Sequence, residues 1–433
     1  MIDRPTFSTA AGAPVGASGL AMAADPTGPE ADVDAMGQDL EVPGWTDLID
    51  DLRGLPSRML AKLPAAMRDD PQVQQEVGRL ALAALTSSAL GALSAGGDHP
   101  FFLPQLNILT FAGQPNPDTI YRFTPITPGG SYRLRGEGGK LRIAMLSQMA
   151  PRAKVDGVER PQPVRAYNDF NTLTRDAQGR FDVLLSPTKP EGYEGDWWAL
   201  QPTSNRLQVR FVRSDWRTER EPTVSIERVD VAANCPRPSA AVMQERLRKI
   251  GTDVSAQAPM FVDKVERLRR ECGDNKLQAF DVSPMGGLPT QFYYEGPFEL
   301  RADEALILEA KAPQCLYRSV MVTNGTYDTI DWYNNHSCLN DSQATVDADG
   351  VLRIVVAPQD PGVPNWLDTA GHLRGLVQGR WLEADAHPIP TTKVVRLSEV
   401  RNHVPPETPT VSPAQREAII RERRSMLQQR SLW

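Results

Sequence analysis

The sequence predicts a mainly β protein with helical additions, of the α+β class, in which a helical linker joins two antiparallel β-sandwich-like units. Three observations support this prediction. Apolar residues switch between helical and alternating spacing several times along the chain. The 37 prolines and 32 glycines favour short strands joined by turns over a long helical bundle. No βαβ pattern occurs, which argues against a parallel, doubly wound sheet.

The first hundred residues divide into a tail and a helical region. Residues 1–44 are rich in Ala, Gly, Pro and Ser, so we expect a disordered tail. Residues 45–100 carry apolar side chains at helical spacing, and Pro71 suits the first turn of the longer helix. Glycines interrupt the apolar stretch of the tail, which does not match a secretory signal. We therefore expect a cytoplasmic protein, with a periplasmic location as the alternative.

Alternating stretches predict the two β units, at residues 101–235 and 280–400. The strands predicted for the first unit are 131–134, 141–145, 181–185, 207–212 and 223–231. Those predicted for the second unit are 292–294, 305–310, 316–322, 351–356 and 393–397. An Asp-Gly turn at 347–350 also predicts a hairpin over residues 344–357.

Two helical stretches flank the second β unit. Residues 236–279 predict a helical linker with a break near Pro259. Residues 401–433 contain a predicted C-terminal helix that begins at Ser412-Pro413. Its apolar stripe is predicted from Ile419, Ile420, Met426 and Leu427, and its basic run 421–424 is interpreted as a solvated face. No internal repeat with a period of 20–50 residues is apparent.

Charge and motifs argue against several classes of function. The net charge of −7 disfavours nucleic-acid binding, and no apolar run predicts a membrane-spanning helix. No strand is followed by a Gly-rich nucleotide-binding motif, and no zinc or serine-nucleophile motif occurs. The four cysteines fit no zinc spacing and are expected to be reduced thiols. Because histidines number only five we expect no metal, and because nucleotide-binding motifs are missing we expect no other cofactor.

Polar and aromatic side chains concentrate in three loops at the ends of predicted strands. The segment 116–122 contributes Asn116, Asp118, Tyr121 and Arg122. The segment 327–340 contributes Trp332, Tyr333, His336 and Asn340. The segment 360–372, stiffened by two prolines, contributes Asn365, Trp366, Asp368 and His372. Any one of these residues could instead cap a turn or fill the core, but loops on rigid sandwiches often share a pocket.

These residue types suit acid–base chemistry without a cofactor. His336 or His372 is predicted to be the base, Asp368 to orient it, and Tyr121 or Arg122 to stabilise developing charge. The remaining residues are predicted to bind substrate: Asn116, Asp118, Trp332, Tyr333, Asn340, Asn365 and Trp366. We expect the second and third segments to meet at the end of the predicted hairpin opposite its turn, and the first segment to close the pocket.

The motif DPGVPNWLDTAGH at 360–372, preceded by LNDSQA at 339–344, resembles the bacterial family called domain of unknown function 1214. The resemblance covers roughly residues 100–385 and implies a mainly β, sandwich-like fold with helical additions. It supplies no reaction and no established catalytic residues. Family members occur in bacteria that degrade aromatic compounds. This chain has Leu316-Tyr317-Arg318 where members often have a Tyr-Trp pair, so Arg318 and His336 are candidates for a special substrate.

The residues and the resemblance together predict a cofactor-independent lyase that cleaves a carbon–carbon or carbon–oxygen bond. Its expected substrate is a small hydrophobic or aromatic compound, and its expected product a small aldehyde. The alternative is a non-catalytic β-sandwich that binds carbohydrate or lipid; a hydrolase is a weaker third option because no nucleophile motif is visible. We expect a homodimer, since two-fold symmetry is the commonest oligomeric arrangement, and neither a nucleic acid nor a membrane as partner.

Overall fold

Two β-sandwich-like units and a set of helices make up the fold, which confirms the predicted mainly β, α+β class. The computed structural model describes residues 41–94, 96–110, 113–151, 154–155, 158–159, 163–282 and 287–430. The predicted tail falls outside these residues as far as residue 40. Within the described residues, no helix is both long enough and apolar enough to span a bilayer.

The helices lie before, between and after the sandwiches. They are α1 (Trp45–Arg53), α2 (Leu55–Leu60), α3 (Ala65–Arg68), α4 (Pro71–Leu93), α5 (Ala240–Gln257), α6 (Lys264–Cys272) and α7 (Pro413–Gln428). The side chain of Asp70 caps α4 by accepting a hydrogen bond from the Gln72 amide. Helices α1, α2, α4 and α5 share one apolar core, which includes Leu55, Met59, Val77, Leu80, Ile250 and Val254. The first linker helix therefore packs with the N-terminal helices.

The first sandwich contains strands from β1 to β11. Their bounds are β1 (Leu103–Leu106), β2 (Thr119–Pro125), β3 (Tyr132–Glu137), β4 (Ile143–Met149), β5 (Lys154–Val155), β6 (Val158–Glu159), β7 (Val164–Asp169), β8 (Arg180–Ser186), β9 (Asp196–Ala199), β10 (Arg206–Val212) and β11 (Ser225–Arg228). One sheet has the order β1-β2-β10-β4-β7 and the other β11-β3-β8-β9, and β5 and β6 form a separate ribbon. The pairs are antiparallel except β8 with β9.

The second sandwich contains strands from β12 to β20. Their bounds are β12 (Gln278–Phe280), β13 (Gln291–Glu299), β14 (Glu304–Lys311), β15 (Cys315–Asn324), β16 (Cys338–Asn340), β17 (Val351–Ala357), β18 (Trp366–Asp368), β19 (Arg374–Ala384) and β20 (Thr391–Arg396). The five-stranded sheet has the order β12-β13-β19-β15-β16, and the four-stranded sheet β18-β17-β14-β20. The pair β17 and β18 is parallel.

The two sandwiches have the same topology. Matched in chain order, the strands β1–β4 and β7–β11 of the first sandwich correspond to β12–β20 of the second. This correspondence reproduces both sheet orders and the single parallel pair. Local hydrogen bonds repeat as well: Asp196 accepts from the Thr174 amide at 2.7 Å, and Asn365 accepts from the Thr345 amide at 2.9 Å. Thr345 follows Thr174 by 171 positions. The repeat is therefore far longer than the period of 20–50 residues that is typical of short-repeat proteins. The chain is a tandem structural duplication.

The sandwiches pack against each other through the outer faces of their five-stranded sheets. Ile143 and Val212 are cross-strand neighbours in the first sheet, and Tyr317 and Leu382 are cross-strand neighbours at the equivalent place in the second. These four side chains share one apolar cluster with Leu288. We call the space between the two outer faces the seam. Equivalent surfaces therefore meet, as in the interface of a two-fold symmetric dimer.

The hairpin predicted for residues 344–357 is wrong. The turn itself is present, because the Gly350 amide donates to the Asp347 carbonyl and Gly350 adopts a φ of 74°. The strand that follows, β17, pairs instead with β14 and β18. Residues 344–350 form no regular strand. Their backbone amides bond to carbonyl groups close by in sequence, as in the hydrogen bond that the Ala344 amide donates to the Asn340 carbonyl.

Candidate functional site

His336 is buried close to helix α7. Its Nδ1 donates a 2.6 Å hydrogen bond to the carbonyl oxygen of Trp366, whose indole ring stacks on the imidazole. The pKa of His336 lies well below its usual value, because burial disfavours the imidazolium and the positive charges of Arg423 and Arg416 oppose it. His336 is thus a neutral anchor of the 360–372 loop, and the structure does not present it as an accessible base.

His372 lies apart from His336 and faces helix α4. Its Nδ1 is 3.7 Å from Oε1 of Glu76, and burial lowers the pKa of His372 while it raises that of Glu76. Within the described residues, the Asp368 carboxylate accepts from the Ala370 amide at 2.7 Å and bonds to neither imidazole. The role predicted for Asp368 is therefore wrong, because its carboxylate caps the turn at Ala370 and Gly371, which both have positive φ.

The second and third predicted loops do meet. The Asp368 amide donates a 3.0 Å hydrogen bond to the carbonyl oxygen of His336. The side-chain amide of Asn365 both accepts from and donates to the backbone of Thr345, and the Trp366 indole donates to a backbone oxygen of β17. Asn365 and Trp366 therefore hold the loop in place, and their polar groups are already used.

Tyr333 lies at a surface cleft, next to the buried Trp332. Trp332 is buried in an apolar cluster, and the ring of Tyr333 lies beside it at a centroid distance of 6.3 Å. Tyr333 lines a cleft of about 630 Å3 together with Arg79, Asp331 and Arg430. None of the predicted catalytic residues lines this cleft, so these two aromatics are separated from them.

Asp118 is the centre of a buried hydrogen-bond network at one end of the seam. Its carboxylate accepts from Trp216 Nε1 at 2.8 Å, from Asn340 Nδ2 at 2.8 Å and from the Tyr317 hydroxyl at 2.6 Å. Asn116 donates to the same hydroxyl at 3.0 Å. Burial raises the pKa of Asp118, and these three donors oppose the shift. The network joins predicted residues from both sandwiches, but it leaves Asp118 without a free oxygen for proton transfer.

Tyr121 and Arg122 point to opposite faces of β2, because neighbouring strand residues alternate. Arg122 is registered with Val209 on the inner face of the first sandwich, where burial lowers the pKa of its guanidinium. Tyr121 is registered with Arg210 on the seam face, and the Arg210 guanidinium lies 5.5 Å from the centroid of its ring. Only Tyr121 of this predicted pair therefore faces the seam.

The second sandwich carries the same arrangement of arginine and tyrosine. Tyr293 on β13 is registered with Arg380 on β19, and the Arg380 guanidinium lies 4.7 Å from the centroid of the Tyr293 ring. Burial raises the pKa of Tyr293, and the positive charges of Arg380 and Arg210 oppose this shift. We call Tyr121, Arg210, Tyr293 and Arg380 the seam cluster.

Several polar groups of the seam lack a partner. Arg380 is only 3% exposed, and within the described part of the chain no carboxylate lies at ion-pair distance from it. Its Nε and the hydroxyl of the cross-strand neighbour Ser319 make no hydrogen bond there. No described residue bonds to the hydroxyls of Tyr121 or Tyr293. The Arg380 Nε and the Ser319 hydroxyl are buried, and such groups are costly to bury unless a ligand or water satisfies them.

A buried ion pair borders the seam cluster. Lys264 on α6 donates to Oε2 of Glu295 at 2.7 Å, and Gln378 donates to the same oxygen at 3.0 Å. Gln378 also accepts a long, 3.4 Å contact from Arg380. The other carboxylate oxygen, Oε1, accepts no hydrogen bond from the described residues, so Glu295 keeps one oxygen for a proton.

Sequence reasoning missed most of the seam cluster. Arg210 and Tyr293 lie inside predicted strands, where alternating residues indicate packing, and Arg380 lies in a strand that was not predicted. One signal was available: the pattern Gln-x-Arg-aromatic occurs at 208–211 and again at 378–381, each time after an aliphatic residue. Glu295 and Lys264 show no comparable pattern. Only the strand register reveals that all these residues share one space.

The described residues offer no metal site. No group of three His, Cys, Asp or Glu side chains among them is placed to hold an ion. The four cysteines carry free thiols. The seam itself presents guanidinium groups, phenols and the carboxylates of Asp118 and Glu295.

Comparison with a solved structure from Burkholderia cenocepacia supports the fold. A crystal structure of an uncharacterised protein from Burkholderia cenocepacia is similar, with a TM-score of 0.74 and 28% identity over 82% of this chain and 97% of that one. A protein structure from Vibrio parahaemolyticus matches with a TM-score of 0.41 and 12% identity, over 74% of this chain and 100% of that one. No protein-family model matches the chain, and no curated protein matches it significantly.

Proposed function

We propose that the protein is a cofactor-independent acid–base lyase that acts on a small aromatic anion bound in the seam. The observation that carries this proposal is Arg380, a buried cation with no ion-pair partner among the described residues. Arginine binds carboxylates through two parallel hydrogen bonds, and a buried site strengthens them. The tyrosine rings of the seam cluster offer aromatic walls for a substrate that contains a ring.

The proposed reaction is a retro-aldol cleavage. For 3-hydroxy-3-phenylpropanoate, Oε1 of Glu295 takes the hydroxyl proton, the carbonyl of benzaldehyde forms, and the adjacent carbon–carbon bond breaks. The electron pair passes to the carbon beside the carboxylate, which becomes an enediolate held by Arg380 and the hydroxyls of Tyr121 and Tyr293. Glu295 then returns the proton to that carbon, which gives acetate. Atoms and charge balance without a further reactant.

The test measures benzaldehyde release from 3-hydroxy-3-phenylpropanoate by its absorbance, and benzoate binding by calorimetry. We expect E295Q to lower turnover by about 10²–10⁴ while benzoate still binds. R380Q is expected to abolish both benzaldehyde release and benzoate binding. R374Q is the matched control, because Arg374 opens the same strand but is exposed and pairs with Glu299. Turnover retained in E295Q and R380Q would contradict the proposal.

The alternative proposal is a non-catalytic binding module. It is favoured by the hydrogen bonds of the two seam carboxylates, since Asp118 has three donors and Glu295 has two. A binding module would bind benzoate, or a carbohydrate or lipid, and release no aldehyde. Neither wild type nor E295Q would then form product, so the affinity for the ligand would be the only quantity that changes between variants.

We further propose that the chain belongs to the family called domain of unknown function 1214, on the motif at 339–381. A cytoplasmic location is proposed because all four cysteines are free thiols, as is usual in a reducing compartment. A homodimer is proposed on the general preference for two-fold symmetry. Light scattering at micromolar concentration tests it, and a monomeric mass would rule it out.

A further inference from the structure

Both sandwiches have a cavity at the same place, but within the described residues only that of the second sandwich is filled. In the first sandwich the cavity lies where β3 ends and β8, β9 and β11 begin, and its volume is about 820 Å3. The equivalent cavity of the second sandwich has a volume of only about 20 Å3. Equivalent residues line the two cavities: Thr174 and Thr345, Asp176 and Asp347, Asp182 and Arg353, and Asp196 and Asn365.

An ion pair between neighbouring strands recurs at the two cavities with its charges reversed. In the first sandwich Arg135 on β3 is registered with Asp182 on β8, and the two side chains lie 3.2 Å apart. In the second sandwich Glu309 on β14 is registered with Arg353 on β17, at 2.8 Å. The duplicated cavities therefore have the same backbone frame but differ in the charges that line them.

A proline-containing segment of the same chain fills the cavity of the second sandwich. Residues 404–411 follow β20 and have the sequence VPPETPTV. Val404, Thr408 and Pro409 of this segment form one wall of the small cavity, and Val404 also packs on the apolar outer face of the four-stranded sheet. The cavity of the first sandwich is lined by no described residue beyond Ser225, so no corresponding segment covers it.

The open cavity is acidic, and we call it the acidic groove. Its lining contains two arginines, Arg135 and Arg180, and five carboxylates, namely Glu137, Asp176, Asp182, Glu194 and Asp196, which gives a net charge of 2 − 5 = −3. Both guanidinium groups already form ion pairs with acidic side chains. Among the described residues, Glu137, Glu194 and Asp196 have no ion-pair partner. The unbalanced charge of the groove therefore favours a basic occupant.

We infer that the acidic groove binds a basic, proline-containing polypeptide segment of a partner protein. The inference goes beyond the proposed function, because the groove belongs to the four-stranded sheet of the first sandwich and the seam to the five-stranded sheet. The segment 404–411 on the duplicate cavity indicates the kind of occupant, and the unpaired carboxylates indicate its charge. Prolines suit such a segment because their fixed φ lowers the entropy lost on binding. Residues 1–40 of the chain, with six acidic residues and one basic residue, have the wrong charge.

The test measures peptide binding to the full chain by fluorescence anisotropy. One labelled peptide has the sequence of residues 404–411, and the other is its E407K version. We expect the lysine peptide to bind about three- to tenfold more tightly at low salt, and added salt to reduce this preference. E194K reverses an exposed, unpaired charge of the groove and should remove the preference. E399K, which reverses an exposed charge on the second sandwich, is the control and should keep it.

Hydrogen exchange locates the bound peptide. The lysine peptide should slow exchange at residues 194–196 and 223–225 and leave residues 345–365 unchanged. Slower exchange at 345–365 instead, or no binding of either peptide at millimolar concentration, would overturn the inference. Equal binding of the two peptides would overturn it too, and tighter binding of the glutamate peptide would assign the groove to segment 404–411 of a second copy. Benzaldehyde release plays no part in this assay, so the inference and the proposed function can fail separately.

Discussion

Arg430, just beyond the end of α7, donates a 3.0 Å hydrogen bond to the backbone oxygen of Asp118, which immediately precedes β2. Its guanidinium also bonds to the carbonyl of Pro117 and, at 2.6 Å, to Glu221. The C-terminal helix follows the second sandwich in sequence, and this contact holds the end of the helix against the first sandwich. The bond positions the backbone of the residue whose carboxylate joins Trp216 and Tyr317 across the seam.

Helix α7 is held by arginines that recur every seven residues. Arg416 donates to Asp360 and Val363, and Arg423 donates to the carbonyl oxygen of Cys338, while Arg430 makes the contacts above. The predicted solvated basic face is therefore only partly correct, since the side chain of Arg421 is 68% exposed and Arg423 is 4% exposed. The buried side chains of Arg416 and Arg423 fix the position of the helix through hydrogen bonds, whereas the predicted apolar stripe contributes only packing.

Replacing Arg423 should destabilise the fold. R423M removes hydrogen bonds to Gln343 and Cys338 and the contact with the Trp216 ring, so we expect a loss of about 2–3 kcal/mol in the free energy of unfolding. Chemical denaturation measures it. The control R421M removes an exposed pair with Glu417 and should cost less than about 0.5 kcal/mol. Equal stability of the two variants would show that the arginine contacts of α7 contribute little.

D118N should weaken the contact between the sandwiches. An asparagine has one acceptor atom, whereas the carboxylate accepts from donors on both oxygens. We expect a loss of about 1–3 kcal/mol in the free energy of unfolding. D253N, which alters an exposed pair with Lys249, is the control. A denaturation midpoint for D118N that matches wild type would argue against a stabilising role of the network.

Stability should fall as the pH drops below about 6.5, the ordinary pKa of histidine. The folded state keeps His336 neutral because its pKa is lowered, whereas the unfolded chain takes up a proton there. Unfolding then binds protons, so its free energy decreases towards acid pH by at most about 1.4 kcal/mol per pH unit for this group.

Denaturation curves between pH 5.0 and 7.5 test the contribution of His336. H336N can still donate to the Trp366 carbonyl but does not titrate, so its stability should depend less steeply on pH than that of wild type. H387N changes an exposed histidine and should keep the wild-type slope. An unchanged slope in H336N would assign the pH dependence to other groups.

The four thiols should differ in reactivity. Burial raises the pKa of Cys338 to about 11, and Arg423 contacts its sulfur, whereas Cys235 is exposed. With iodoacetamide at pH 8, mass spectrometry should find Cys235 alkylated first and Cys338 modified only after unfolding. C235S should remove the fastest step. Rapid labelling of native Cys338 would show that this region opens readily.

The sequence allowed the fold class to be predicted because turn residues and alternating strands are local signals. It failed at β19, the longest strand of the second sandwich. Gly375 and Gly379 interrupt its apolar pattern, which hides the strand in the sequence. Glycine is nevertheless required at position 379, because a Cβ there would lie 2.0 Å from the ring of Tyr294. The glycine makes room for an aromatic ring on the adjacent strand. That requirement depends on which strand is adjacent, which the local pattern does not contain.

The candidate site was predicted less well than the fold. Asn116, Asp118 and Asn340 do lie together, but their polar groups are already used in hydrogen bonds with one another and with Tyr317. Arg380 was missed because no strand was predicted at 374–384, where Arg380 lies. Its position becomes clear only when two sheets, each predicted separately, are placed face to face.

Because both sandwiches belong to one chain, the two halves of the seam have been free to diverge. A homodimer would carry the same residue on both sides, whereas here Ser319 corresponds to Met145 and Glu295 to Phe123. A covalent link also fixes the effective concentration of the halves, so dilution cannot separate them. The molecule thus combines the geometry of a dimer with the chemical asymmetry and concentration independence of a monomer.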